Sequence, residues 1–300
     1  MRHLYKLWIA FFVVTLFFLI QHYFYLGWDF AVFVLNGEYW FSNGIFFEAT
    51  RAPLVPFILG VLGIVFGRFA EYIYIVLVSL LFLYSSVKLA EALKFNKEWF
   101  YILSLNAAVL CLGLFEGSEL LSFALLELFV ASLILNKNSG LFLGLACLVR
   151  YTNGIFLVLL LFHKKVRKIL WNCFLFTLPF IPWFLYNWIK YGNPLTSIVD
   201  SLALNMFYRY YIVSTFSWSN LLLSLNYLIP FILIGLFYYF YKKKYLKRKG
   251  FVMLAVTLLT VYSVYSIKAN VLRYMFPLFI PGFYFAYLGL RKYKEYILVS

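Results

Sequence analysis

From Leu7 to Leu26 the chain runs for roughly twenty residues without a formal charge, the length an α-helix needs to cross a hydrocarbon core. Comparable apolar runs recur almost to the end of the sequence. Such segments restrict the chain more than any other feature, because together they carry more apolar surface than a water-facing fold can bury. Hydrophobic residues make up 65% of the 300 residues and charged residues 12%, against about 45–50% and 25% in a soluble domain. A soluble globule is excluded, and so is disorder, which requires low hydrophobicity. The expected class is an all-α polytopic membrane protein, with residues 1–300 forming a single transmembrane domain.

Charge placement predicts a topology. Arg2 and Lys6 precede the first run, which sets the N-terminus in the cytoplasm. No small-residue cleavage site follows, so the run reads as an uncleaved anchor. Two stretches are ambiguous. Pro53–Gly67 is apolar but short, and 140–162 is interrupted by Arg150, Asn153 and Gly154. If both span, Arg150 lies in lipid at a cost of roughly 2.5–3.5 kcal/mol. If the first is a re-entrant or juxtamembrane helix and the second a short hairpin with Arg150 at its outer tip, more Lys and Arg fall inside and Arg150 reaches water. The second arrangement is preferred. It predicts about eight full spans, near 7–26, 72–90, 99–115, 120–135, 169–189, 220–241, 251–267 and 274–290. Both termini are then cytoplasmic in the cell membrane, with long external loops at 27–71 and 190–219. The net charge of +15 fits basic loops against anionic headgroups; no basic polar domain exists to bind nucleic acid.

Most polar features have structural readings. Gly60, Gly63 and Gly67, and the pair Gly140/Gly144, suit close helix packing. The three Cys and three His show neither disulfide nor metal spacing. Asp29 differs. It is one of two Asp in the chain and lies just past the first span. It is either a solvated loop residue or a general base tuned by partial burial. Arg51, before Pro53-Leu54, either snorkels to headgroups or holds a lipid phosphate. Glu116 and Glu119 occupy a tight turn between spans, where carboxylates are costly unless paired, hydrated or metal-bound. Arg150-Tyr151 and Arg273-Tyr274 add cations on the same face. Asn187 and Lys190-Tyr191-Gly192-Asn193-Pro194 mark a turn at another outer end. Carboxylates and cations above an apolar layer suit a substrate with an anionic headgroup and a lipid tail.

In this order the elements resemble the GT-C superfamily of membrane glycosyltransferases, nearest the protein O-mannosyltransferase and aminoarabinose-transferase-like branch. They are Trp28-Asp29; Arg51-Ala-Pro-Leu-Val-Pro56; Glu116/Glu119; Gly140 to Arg150-Tyr151; Trp183-Phe-Leu-Tyr-Asn187 with Gly192-Asn193-Pro194; and Arg273-Tyr274-Met-Phe-Pro277. The resemblance implies transfer of a sugar from a polyprenyl- or dolichyl-phosphate donor on the outer face, with inversion, to an acceptor hydroxyl on a protein, lipid or glycan. It implies Asp29 as general base and Arg51 as donor-phosphate ligand. Arg150 and Arg273 are further phosphate or sugar contacts, and Glu116/Glu119 stand where the family keeps a second-loop acid for acceptor or metal. A divalent cation, Mg or Mn, is used in some branches only. The chain departs from the family in its short length, in lacking a C-terminal soluble domain, and in carrying one first-loop acid where some branches have two. The alternatives are a lipid-linked glycan transporter or flippase, an inactive relative, or an outer-face phosphoethanolamine or acyl transferase. A transporter predicts ionisable groups deep in spans, where only Glu127 falls. The last class needs a nucleophilic Ser/Thr with metal or a His-based pair, and the external His is limited to His22 near a span end, which counts against it.

Overall fold

The computed structural model describes residues 4–208, 218–267 and 272–297. The chain is 84% helical, with no strand among the described residues. Its helices are α1 (Leu4–Phe24), α2 (Trp28–Phe41), α3 (Leu54–Phe66), α4 (Ala70–Leu93), α5 (Lys97–Ser104), α6 (Ala107–Leu112), α7 (Glu119–Ile134), α8 (Gly140–Val149), α9 (Val166–Thr177), α10 (Ile181–Tyr191), α11 (Thr196–Ala203), α12 (Trp218–Leu225), α13 (Ile229–Tyr241), α14 (Arg248–Ile267) and α15 (Phe279–Ile297).

α7 is the centre. Every residue in it except Ser132 is buried, as expected of a helix apolar all round. α4 packs along it, and their contact contains Glu127, whose Oε2 accepts from Ser85 Oγ at 2.6 Å and Ser86 Oγ at 2.9 Å. Around this core the outward-facing side chains are large and apolar: Phe12, Ile64, Val65, Trp188 and Phe237 are all exposed. Three helical runs are long and apolar enough to cross a membrane: Tyr5–Phe24, Leu54–Leu93 and Val166–Tyr191.

The other expected spans are not all continuous helices. The segment 99–115 divides between α5 and α6, because the Asn106 side chain accepts from Val109 N at 2.8 Å and starts a new helix. The segment 220–241 is interrupted at Asn226–Leu228, ahead of Pro230 in the first turn of α13. Gly67, at φ 55°, separates α3 from the 3-10 turn leading into α4. α3 is thirteen residues long, about 20 Å and less than a bilayer core needs by itself. Of the glycines expected in packing contacts, Gly60, Gly140 and Gly144 lie against neighbouring backbone or rings, but Gly63 and Gly67 face open space.

α8 ends at Arg150, whose extended backbone (φ −150°, ψ 110°) breaks the helix. The chain returns through a 3-10 run, Tyr151–Phe162. At its end His163 meets Ser139, at the start of α8, with Nε2 3.1 Å from Oγ. Residues 140–162 are therefore a helical hairpin with Arg150 at the tip. Of the expected second long external loop, 190–219, residues 209–217, Arg209 among them, lie outside the described part. Residues 268–271, Lys268 among them, and the chain ends 1–3 and 298–300 also fall outside it.

Candidate functional site

Asp29 is the second residue of α2. Its position is fixed by the junction before it. A Cβ on Gly27 would come within 2.1 Å of Phe115 O, so only glycine lets α2 start this close to the 113–118 turn. That turn is held in place by Gly117, at φ 82°, whose carbonyl accepts from Tyr74 OH at 2.5 Å. In return, Glu116 Oε2 accepts from the Asp29 backbone N–H at 3.1 Å.

The Asp29 carboxylate, 8% exposed for the residue as a whole, is clasped by two guanidiniums. Arg51 Nη1 lies 2.8 Å from Oδ1. Arg273 Nη1 donates to Oδ2. Arg51 Nε also pairs with Glu48 Oε1 at 3.0 Å. A second ion pair joins Arg150 and Glu119. Glu119 is 1% exposed and also accepts from Ser118. The two pairs are bridged by Tyr274, whose ring lies 4.9 Å from the Arg150 guanidinium and 5.8 Å from that of Arg273.

Asp29, Arg51, Glu119, Arg150 and Arg273 thus line one cavity of about 80 Å³, room for several water molecules. Glu116 does not line it; it stands behind Asp29. Asn187 is buried against Ser197 Oγ, at 2.5 Å, and does not line the cavity. Glu48, Ser118 and Asn205 also line it and were not picked out by sequence reasoning. Only Glu48 carried a signal, its i,i+3 spacing to Arg51.

Burial pushes the Asp29 carboxyl up, but the Arg273 and Arg51 charges and hydrogen bonds outweigh it and hold it below the ordinary carboxylate range. Glu116 moves the other way. Burial raises it, and the neighbouring Asp29 and Glu119 charges add to that, against the Asp29 N–H bond and the Arg273 charge, which lower it. Arg273 is held firmly protonated, because Asp29 and Glu119 outweigh its desolvation.

The acids fit a metal poorly. Glu119 is committed to Arg150 and Ser118, and Glu116 to the Asp29 backbone. No three His, Cys, Asp or Glu converge among the described residues.

Next to the cavity runs an apolar groove of about 380 Å³, lined by Trp40, Pro53, Leu54, Phe57, Leu148 and Trp183 among others. The two share walls: Ala52 and Val149 face the cavity, and their chain neighbours Pro53 and Leu148 face the groove. Beside the groove, Lys190 Nζ donates to Tyr39 OH at 3.0 Å and Tyr186 OH at 3.1 Å, 4.3 Å from the centre of the Phe47 ring. This contact ties α10 to the first loop.

No family model, curated protein or solved structure matches the chain.

Proposed function

We propose that the protein transfers a sugar from a polyprenyl- or dolichyl-phosphate donor to an acceptor hydroxyl at the extracytoplasmic face of the cell membrane, with Asp29 as general base. The observation that carries this reading is the Asp29 carboxylate held between Arg51 and Arg273 in a cavity that lies beside an apolar groove. Three guanidiniums at one cavity suit a phosphate. Arg273 Nε is buried without a hydrogen-bond acceptor, so it has a donor left for one. The groove suits an isoprenoid tail.

The cavity is too small in its paired state for a sugar phosphate. Entry of the donor requires the guanidiniums to exchange Asp29 for phosphate oxygens. That exchange removes the two charges that hold the carboxyl down and leaves the burial that pushes it up, so Asp29 gains basicity when the donor arrives. The acceptor oxygen then attacks the anomeric carbon opposite the phosphate, and its proton passes to Asp29. The bond from the anomeric carbon to the phosphate oxygen breaks, and its electron pair stays on the phosphate, stabilised by Arg51, Arg273 and Arg150. Displacement from the opposite side inverts the anomeric centre.

The test is release of polyprenyl phosphate from a panel of labelled donors by lipid-reconstituted protein. Asp29→Asn is expected to lower turnover by roughly 10²–10⁴-fold, the range for a lost general base. A variant that keeps its turnover, or a wild type that moves the lipid across the bilayer without cleaving any donor, overturns the reading in favour of a transporter.

A further inference from the structure

At the end of the molecule away from the arginine–carboxylate cavity, an open recess of about 690 Å³ lies between the turn joining α7 to α8 and the first turns of α9. Its position follows from α8, which begins beside Asn172 of α9 and ends at Arg150 in the cavity, about 15 Å away along the helix. We propose that this recess binds one anionic phospholipid from the surrounding membrane.

The lining is arranged like an amphiphile. Lys165, Arg167 and Lys168 form one end, with Asn138 opposite, and Leu170, Trp171 and Phe174 continue along the helix. Arg167, Trp171 and Phe174 follow i, i+4, i+7 spacing, which places them on one face of α9. Charge therefore meets the headgroup, and the apolar strip descends beside the acyl chain. Trp171 and Phe174 stack with centroids 5.4 Å apart, yet remain 49% and 50% exposed among the described residues, a ready-made wall with an open outer side.

The charge is uncompensated. The sequence contains no Asp or Glu between Glu127 and Asp200, and neither Lys165 nor Arg167 forms an ion pair among the described residues. Lys168 is fixed by donating to Asn136 O. Cations that served only to orient the chain would need neither a recess nor a stacked aromatic strip beside them. A recess with three cations at one end selects a phosphate-bearing headgroup without a compensating amine. The acyl-facing strip favours a lipid over free phosphate. The proposal does not depend on the transferase reading.

The test uses the full chain in nanodiscs doped with brominated lipids, which quench nearby tryptophan. The Trp171 signal is taken as the difference from Trp171→Phe. Brominated anionic phospholipid should quench it at lower mole fraction than brominated zwitterionic phospholipid. Lys165→Gln/Arg167→Gln should shift the anionic titration by roughly thirtyfold, at about fivefold per cation near a membrane surface. Both residues are exposed, so the fold should survive, and circular dichroism verifies that it does. Lys242→Gln/Lys243→Gln, with the same charge removed from another basic run, should leave the titration unchanged. Equal quenching by the two lipids, an equal shift in the control variant, or displacement of the lipid by millimolar inorganic phosphate would each overturn the proposal.

Discussion

Arg273 donates to the carboxylate of Asp29 across 244 residues of sequence. The contact closes one end of the chain on the other at the rim of the cavity, while Arg51 holds the second carboxylate oxygen at 2.8 Å. A single carboxylate thereby anchors two cations that would otherwise repel each other in a partly buried site. The clasp is a stability element in the empty protein and, on the proposed function, a set of phosphate ligands in the working one.

This double use separates the two arginines from ordinary surface ion pairs. Arg273→Gln and Arg51→Gln should each lower unfolding free energy by about 1.5–3 kcal/mol, the scale of a lost hydrogen bond to a charged group. Each should also weaken binding of polyprenyl phosphate. Arg→Lys at either position should restore charge without restoring forked donation, and so recover only part of the affinity. Thermal unfolding in detergent and lipid-phosphate titration read the two effects separately.

The carboxyls make opposite contributions to the pH dependence of stability. Asp29 is held below its ordinary value of 3.8 in the folded chain. Its contribution is complete above that value and is lost as pH falls through the lower native one. Glu116 is raised above 4.5, so its contribution is present below 4.5 and is lost as pH rises through the native value. Asp29→Asn should therefore remove part of the acid limb of a melting-temperature profile. Glu116→Gln, which can still accept from the Asp29 N–H, should flatten the decline on the other side.

Gly27→Ala tests how α2 is seated. The added methyl would meet the Phe115 carbonyl oxygen at 2.1 Å, a backbone contact that cannot swing away. Overpacking of this kind costs about 1–3 kcal/mol, and any relief must move Asp29. Turnover should fall by more than the loss of folded protein explains, as measured by activity per folded molecule.

Leu148 faces the apolar groove while its neighbour Val149 faces the cavity. Leu148→Trp should fill part of the groove without touching the ion pairs. The KM for a long-chain donor should rise, and that for a donor with a truncated lipid should change little. Equal effects on both would place the lipid elsewhere.

Much of this site could be read in the sequence, because charges are scarce in so apolar a chain and each one has to be accounted for. Asp29, Arg51, Glu119, Arg150 and Arg273 stood out for that reason, and the structure places all five on one cavity. The hairpin at 140–162 was legible from the polar break at Arg150. Partner choice was not: nothing local says that Arg273 pairs with Asp29 and Arg150 with Glu119, because tertiary packing decides it. Continuity of the helices was overestimated. Hydropathy runs smoothly through 99–115, and the break there depends on one cap, Asn106, whose competition with the backbone a hydropathy average does not register. Glycine spacing misled for a related reason. Gly60 meets Gly37 and Phe41 while Gly63, one turn on, meets nothing, since the spacing fixes the face of a helix but not where its neighbour ends.

The most direct measurement follows the Asp29 carboxyl itself. The chain has two Asp, so ¹³C-aspartate labelling in an Asp200→Asn background leaves one infrared carboxylate band to titrate. It would be followed in the empty protein and with polyprenyl phosphate bound. Titration below the ordinary carboxylate range is expected without the lipid, with a clear rise on binding, as phosphate takes Arg51 and Arg273. A value that stays where it was, or falls, would contradict the exchange on which the proposed chemistry rests.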